Sequence, residues 1–275
     1  MPTLTPLEQA LWLLGASVPL FAALWVTQRR TGDAGIVDVG WSYALALAAA
    51  FIASTASGSF AHRVLIASMI GLWGLRLGTH ILTDRVLRGH EDGRYQMARE
   101  KLGHRFQPFM FAFYQLQALS VPLLALAPIA VAGSTRPTLG PWAIAGLALF
   151  CLALAGEAVA DAQLKRFKSD PSNKGRTCRA GLWRYSRHPN YFFEWLLWIS
   201  YSLVAAESRL WWLALVPVVV MYLLLTRVTG IPPTEAQSLR SRGDDFRAYQ
   251  RETSAFFPWF PSSVSSAAAA SRDQP

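Results

Sequence analysis

Charged side chains are scarce in this sequence of 275 residues. Asp, Glu, Lys and Arg together make up 16% of it, while hydrophobic residues make up 52%. A soluble globular domain carries about 25% charged residues. This shortage of charge excludes an ordinary soluble domain and predicts that much of the chain lies in a lipid bilayer.

Several residue patterns that carry function in other proteins are also missing. The two cysteines, Cys151 and Cys178, are too few for a disulfide framework. The five histidines lack the spacing of metal ligands, so no metal site is predicted. There is no Gly-rich dinucleotide fingerprint, so helices and loops would have to hold any nucleotide. Residues 1–9 contain no Lys or Arg, and no cleavable signal peptide is predicted.

Apolar runs long enough to span a bilayer recur along the chain. Such a span needs about 20 residues. The runs lie at 10–27, 35–56, 63–82, 110–133, 140–160, 191–206 and 210–228. They predict an all-α polytopic membrane protein with about seven transmembrane helices. We expect one transmembrane domain over 1–261, followed by a disordered Ser/Ala-rich tail at 262–275.

The basic residues lie in alternate loops. All but four of the 26 Lys and Arg fall on one side; the exceptions are Arg63, Arg136 and Arg209 on the other side and Arg76 inside the third span. The positive-inside rule then places the N-terminus outside and the C-terminus and basic loops in the cytoplasm. We expect an integral protein of a bacterial inner membrane. Because the cations form no continuous stripe, no nucleic-acid partner is predicted.

Two predicted spans contain ionisable residues close together. Asp38 lies between Gly35 and Gly40 in the second span, and Arg76 and His80 are four residues apart in the third. A charge at the centre of a membrane helix costs at least about 2.5–3.5 kcal/mol, so such residues usually face a partner or a cavity. Asp38 and Arg76 therefore either form an ion pair that only joins two helices or line a substrate pocket.

A second polar region begins at the end of the fifth span. Glu157 and Asp161 are four residues apart and share one helical face. Eight Lys and Arg follow within 165–187. This is more positive charge than orientation needs, which favours a phosphorylated ligand over lipid head groups alone.

The densest polar motif is the segment 181–194, Gly-Leu-Trp-Arg-Tyr-Ser-Arg-His-Pro-Asn-Tyr-Phe-Phe-Glu. The proline suits the first turn of a helix, which would place Asn190 and Glu194 one turn apart on one face. Arg187 and His188 then lie just before a helix N-terminus, where phosphate binds readily. We therefore predict a ligand site here.

This motif resembles the steroid 5α-reductase superfamily of membrane enzymes, and within it the bacterial members. The resemblance is clearest from about residue 157 onward and weaker before it. Isoprenylcysteine carboxyl methyltransferases are similar more distantly, through the same Arg-His-Pro core. The resemblance implies a membrane-embedded oxidoreductase that uses NADPH to reduce a polarised C=C bond in a lipid-like or steroid-like substrate.

The resemblance also implies individual roles. Asp161 matches a nucleotide-binding Asp, and Glu157 replaces its Asn neighbour. Asn190 and Glu194 match the pair expected near the nicotinamide amide. Together with the phosphate argument, the predicted cofactor contacts are Arg88, Glu157, Asp161, Lys168, Arg176, Arg187, His188, Asn190, Glu194, Glu235 and Tyr249. The last two are fourteen residues apart, as in the sterol-reductase C-terminal signature.

The sequence departs from the reductases at the substrate end. Asp38 falls near a Glu that holds the substrate carbonyl in these enzymes, and Arg76 falls where their Tyr is expected. The His-rich C-terminal segment is absent, which disfavours a 3-keto steroid. The predicted catalytic pair is Asp38 and Arg76: Arg76, held by Asp38, would stabilise the enolate oxygen, or Asp38 would protonate it.

Two other functions remain open from the sequence. His188, Pro189 and Tyr191 also fit a membrane methyltransferase that uses S-adenosylmethionine, although that cofactor has no phosphate for eight loop cations to bind. A transporter or lipid-binding protein would spread its polar groups across the bilayer, whereas here they gather towards one side. The expected partners are a lipid-soluble small molecule and membrane lipids.

Overall fold

A computed structural model of the chain describes residues 3–89, 91 and 93–262. The described residues form helices and loops without any β-strand. The α-helices are α1 Pro6–Thr31, α2 Ile36–Thr55, α3 Phe60–Asp84, α4 Gly93–Leu102, α5 Phe106–Leu124, α6 Leu126–Ala132, α7 Pro141–Ser169, α8 Pro189–Ala205, α9 Leu215–Leu223 and α10 Ile231–Glu252. The all-α prediction is confirmed.

Six helical stretches in this part of the chain are long and apolar enough to cross a membrane. They are Pro6–Thr31, Ile36–Thr55, Phe60–Arg88, Gly93–Ala132, Pro141–Ser169 and Trp211–Glu252. The predicted span at 191–206 is α8, a helix of 17 residues, which is too short to be counted with the six. The prediction of a polytopic membrane protein is thus confirmed. The predicted number of seven spans included α8, which is not among these six stretches. The predicted tail lies outside the described residues except for Ser262.

The chain falls into two compact units. The N-terminal unit comprises the residues up to Cys151 together with Leu197–Met221, and the C-terminal unit comprises Leu152–Leu196 and the residues from Tyr222 onward. Within the N-terminal unit, α2 and α3 approach closely because α3 carries glycines at the contact. A Cβ at Gly74 would lie 2.7 Å from the carbonyl oxygen of Ser42, and one at Gly78 would lie 2.6 Å from the Tyr43 ring.

Local sequence signals set the ends of α1. The Thr5 hydroxyl accepts from the Glu8 backbone N–H, while the Glu8 carboxylate accepts from the Thr5 backbone N–H, a reciprocal cap. Pro6 occupies the first turn, where a missing N–H costs nothing. Gly32 ends the helix with φ of 79°, a backbone conformation that glycine adopts without strain.

A buried carboxylate joins three parts of the N-terminal unit. Glu207, in the loop after α8, accepts from the backbone N–H groups of Gly140, Trp142 and Ala143 at 3.0, 3.1 and 3.1 Å, and from His62 Nε2 at 3.3 Å. Burial alone would raise the pKa of Glu207, but these donors stabilise the anion and hold its pKa below the ordinary value. The start of α7 is thereby fixed to α3 and to this loop.

We expect Glu207→Gln to lower the melting temperature of the detergent-solubilised protein. The amide cannot replace an anion that accepts four hydrogen bonds, and the loss should be about 1–3 kcal/mol near neutral pH. Because the folded pKa is depressed, this stabilisation is present above the ordinary Glu pKa and is lost as the pH falls through the folded pKa. The difference in melting temperature should therefore narrow towards acid pH. A constant difference between pH 7 and pH 4 would contradict this role of the charge.

Candidate functional site

In the C-terminal unit, the conspicuous loop 181–188 is fixed against α7. Gly181 has φ of 59° and lies directly against the side chain of Gln163, where a Cβ would collide. The Gln163 amide oxygen accepts from the backbone N–H of Leu182 at 2.9 Å. The Trp183 indole donates to the carbonyl of Ala160, also at 2.9 Å. The glycine that opens the motif is thus required by a close approach and by a positive φ.

An ion pair joins this loop to α10. Arg187 Nε donates to Glu235 Oε1 at 2.7 Å, and Arg187 Nη1 donates to the carbonyls of Thr253 and Gln250 at 2.6 and 3.1 Å. The Gln250 side-chain amide donates to the second oxygen of Glu235 at 2.7 Å. Both charges are mostly buried and mutually satisfied, so the pair positions the loop.

His188 belongs to the same network. Its Nε2 lies 3.2 Å from Glu235 Oε1, and because an ionised carboxylate only accepts, Nε2 carries the proton and donates. Burial lowers the pKa of His188, so the ring is neutral near pH 7 despite the adjacent carboxylate. The ring stacks on Tyr191 with centroids 5.3 Å apart, which directs the first turn of α8.

Tyr249 also holds the loop. Its hydroxyl donates to the carbonyls of Trp183 and Ser186, the latter at 3.1 Å, and the side chain is 1% exposed. Arg187, Glu235 and Tyr249 were predicted as cofactor contacts. The structure places each of them in the junction between the loop and α10, where each makes hydrogen bonds to other parts of the protein.

A second contact, between Asp161 and Asn190, joins α7 to α8. Asn190 follows Pro189, the first residue of α8 as predicted, and its Nδ2 donates to Asp161 Oδ1 at 3.4 Å. Asn190 Oδ1 is buried and accepts no hydrogen bond from the described residues. Glu157 lies one turn before Asp161 and is 3% exposed, and Glu194 lies one turn after Asn190 and is half-buried. Asp161 and Asn190 thus form a polar junction between α7 and α8.

The predicted phosphate contacts are more scattered. Lys168 is exposed near the end of α7, and Arg176 is exposed in the following loop. Arg88, in the N-terminal unit, is exposed and lies 3.8 Å from Asp84, one helical turn away. These side chains are accessible to an anionic ligand.

In the N-terminal unit, Asp38 has partners that the sequence reasoning missed. Arg94 Nη2 donates to its Oδ2 at 3.2 Å, and the Tyr95 hydroxyl and the Gln117 amide donate to its Oδ1 at 3.1 and 3.5 Å. Arg76, the predicted partner, lies half-buried in α3. Arg94 and Tyr95 belong to α4, a short charged helix between the third and fourth predicted spans. Hydropathy assigns no span to this part of the chain, and its helical pattern is the signal that could have indicated the two residues.

Hydrogen bonds hold α4 near the turn between α1 and α2. Arg99 donates to Glu91 Oε1 at 2.8 Å and to the Gly32 carbonyl at 2.7 Å. Glu91 Oε1 also accepts from the Ala34 backbone N–H at 3.0 Å. These bonds keep the donors of α4 beside Asp38. In the part of the chain that the structure describes, no group of three His, Cys, Asp or Glu could hold a metal ion.

The fold and this arrangement define a polytopic α-helical membrane protein with polar junctions built into apolar helices. The chain belongs to the family described as "Protein of unknown function (DUF1295)", whose model matches residues 24–253 and so includes every predicted site residue. An uncharacterized protein of Schizosaccharomyces pombe (strain 972) is 31% identical over 222 residues, a match that covers 71% of this chain and 63% of that protein. No solved structure matches.

We expect Glu235→Gln to destabilise the protein by about 3 kcal/mol, because it leaves the Arg187 guanidinium mostly buried without an anion. Asp244→Asn is the matched control: Asp244 pairs with Arg247 at 2.7 Å, but it is 94% exposed. Such an exposed pair contributes little to stability. Thermal unfolding in detergent should separate the two variants clearly, and equal melting temperatures would refute the positioning role of the buried pair.

Proposed function

We propose that this protein is a membrane-embedded oxidoreductase that uses NADPH to reduce a polarised C=C bond in a lipid-like or steroid-like substrate. The observation that carries the proposal is the junction of Asp161 and Asn190. In this junction the buried Oδ1 of Asn190 has no hydrogen-bond donor among the described residues. The motif resemblance to the steroid 5α-reductase superfamily supports it. In this proposal the basic loops face the cytoplasm of a bacterial cell.

The residues present fit a dinucleotide with phosphates. Asn190 Oδ1 is a buried acceptor suited to a carboxamide N–H, such as that of a nicotinamide. The exposed cations Lys168 and Arg176 are suited to phosphate oxygens. Arg187, His188, Glu235 and Tyr249 would act as positioning residues that hold the start of α8.

The reaction needs an electrostatic partner for the substrate oxygen. Asn190, Lys168 and Arg176 would hold NADPH, which would supply the hydride for reduction of the double bond, and the second hydrogen would come from solvent as a proton. Arg94 donates to Asp38 at 3.2 Å, and we assign to Arg94 the role that the sequence analysis gave to Arg76. Its guanidinium would stabilise the developing enolate oxygen while Asp38 and Tyr95 fix its orientation.

A methyltransferase that uses S-adenosylmethionine is the second candidate. It is favoured by His188, which precedes α8 and is neutral and stacked on Tyr191, and by Pro189, the first residue of α8. The two functions differ in the phosphates of the cofactor. If substitution of Lys168 and Arg176 weakens cofactor binding, the result supports NADPH. If cofactor binding does not change, the result supports S-adenosylmethionine.

Asn190→Ala should weaken NADPH binding to the full-length protein in nanodiscs by about tenfold, since one good hydrogen bond is lost in a buried site. Fluorescence titration of NADPH measures this. Gln237→Ala, on α10 of the same unit, is the control and should bind as the wild type does. Wild-type protein that binds S-adenosylmethionine but not NADPH would refute the reductase.

Arg94→Gln should lower kcat for reduction of an enone lipid by about 100-fold while NADPH affinity stays unchanged, because the cation acts on the transition state. Arg94→Lys should recover part of the rate. Arg76→Gln tests the competing assignment. If Arg76→Gln abolishes turnover and Arg94→Gln does not, the original pairing of Asp38 with Arg76 is the functional one.

A further inference from the structure

Several buried polar side-chain atoms on α1 and α5 make no hydrogen bond with the described residues. They are Trp25 Nε1, both amide atoms of Gln28, Gln107 Oε1 and Gln115 Nε2. Gln28 is 0% exposed. A buried polar group without a partner costs about 1–3 kcal/mol, and such groups in native proteins usually meet water or a ligand.

The two helices run antiparallel. The Trp25 indole meets the edge of the Phe111 ring, with centroids 5.1 Å apart. Arg99 donates to the carbonyl of Gly32, just after α1 ends, and its guanidinium lies 4.3 Å from the ring of Phe106, where α5 begins. The end of α1 therefore lies beside the start of α5.

This register brings the unpaired groups together. Gln28 lies one turn beyond Trp25 along α1, and Gln107 lies one turn before Phe111 along α5. Because Trp25 and Phe111 are in contact and the helices are antiparallel, the two glutamines lie at the same height along the helix pair. Gln115 lies one turn beyond Phe111 on the same face of α5. The unpaired atoms thus form one polar strip along the α1–α5 contact.

A buried glutamine elsewhere in α1 is fully satisfied. Gln9 is 2% exposed, and its amide donates to Thr55 Oγ1 at 3.0 Å and to the Ile52 carbonyl at 3.4 Å. Gln9 therefore serves to join α1 to α2. Gln28 is more deeply buried and has no such partner, which points to a ligand that completes its bonds.

The strip offers both donors and acceptors but no charge. Indole and amide N–H groups donate, and the oxygens of Gln28 and Gln107 accept. Two cations lie beside the strip: Arg29, which is exposed, lies over the Trp25 ring at 5.0 Å, and Arg99 lies over the Phe106 ring at 4.3 Å. Both amide atoms of Gln28, one a donor and the other an acceptor, lack a partner among the described residues, so the fitting head group both donates and accepts, as a hydroxyl does.

We propose that the α1–α5 strip is a binding site for a lipid-soluble alcohol, with the hydroxyl at Gln28 and the apolar body along the helices. Access is from the side of the helices. Trp25, Gln107 and Gln115 are half-buried, and Phe111 is 42% exposed, so the residues that cover the buried polar atoms reach the surface along one edge. The site does not depend on the proposed reductase activity, because none of its residues belongs to that machinery.

The test uses the full chain in nanodiscs, labelled with 5-fluorotryptophan and observed by fluorine NMR. Trp25→Phe assigns the Trp25 signal, and Trp12, exposed on α1, supplies an internal reference. Titration with 1-hexadecanol should shift the Trp25 signal saturably and leave Trp12 unchanged. Hexadecane and hexadecyl phosphate should not produce this shift.

Gln28→Met should weaken the response to 1-hexadecanol at least tenfold, whereas Gln9→Met, the same change at a satisfied glutamine, should leave it unchanged. Gln115→Met, at the half-buried end of the strip, provides a second variant should Gln28→Met fail to fold. Absence of a saturable shift in the wild type would overturn the proposal. So would an equal response to hexadecane, or tighter binding of hexadecyl phosphate, which would mean an anionic ligand.

Discussion

Paired charge in an apolar chain is the constraint on which the rest of the structure depends. Asp38 and Glu235 each lie where an unpaired carboxylate would be costly, and each receives donors from at least two side chains. The two carboxylates thereby fasten short polar segments to the long helices. Asp38 holds α4, and Glu235 holds the loop that precedes α8.

The sequence predicted features that depend on neighbouring residues. Hydropathy located every long apolar helix, because spanning length is a property of a continuous run. Pro189 predicted the start of α8, and one-turn spacing identified the Asp161 and Asn190 groups that meet at 3.4 Å. In each case the signal lies within a single helix or at its end.

What the sequence could not predict are contacts between distant segments. Arg94 and Tyr95 reach Asp38 across 56 and 57 residues, and nothing in their local pattern names that partner. The same applies to Tyr249. Its hydroxyl donates to the carbonyls of Trp183 and Ser186, which lie 66 and 63 residues earlier in the chain. Helical periodicity indicates which face a side chain occupies, and packing decides what covers it.

The part of the chain that the DUF1295 family model matches, residues 24–253, contains both polar junctions, from Asp38 to Tyr249. Junctions of this kind restrict which substitutions the chain tolerates. Removing one member of such a pair leaves the other buried without its partner, whereas an apolar residue that faces lipid can be exchanged for another of similar size.

The separation between Asp38 and its donors also has a consequence for biogenesis. At about 5–20 residues per second, the ribosome needs roughly 3–11 seconds to add the 56 residues between Asp38 and Arg94. During that interval the rest of α2 and all of α3 are synthesised, and the carboxylate has neither Arg94 nor Tyr95. The pairing of α2 with α4 through this carboxylate is therefore completed only after the whole of α3 has been synthesised.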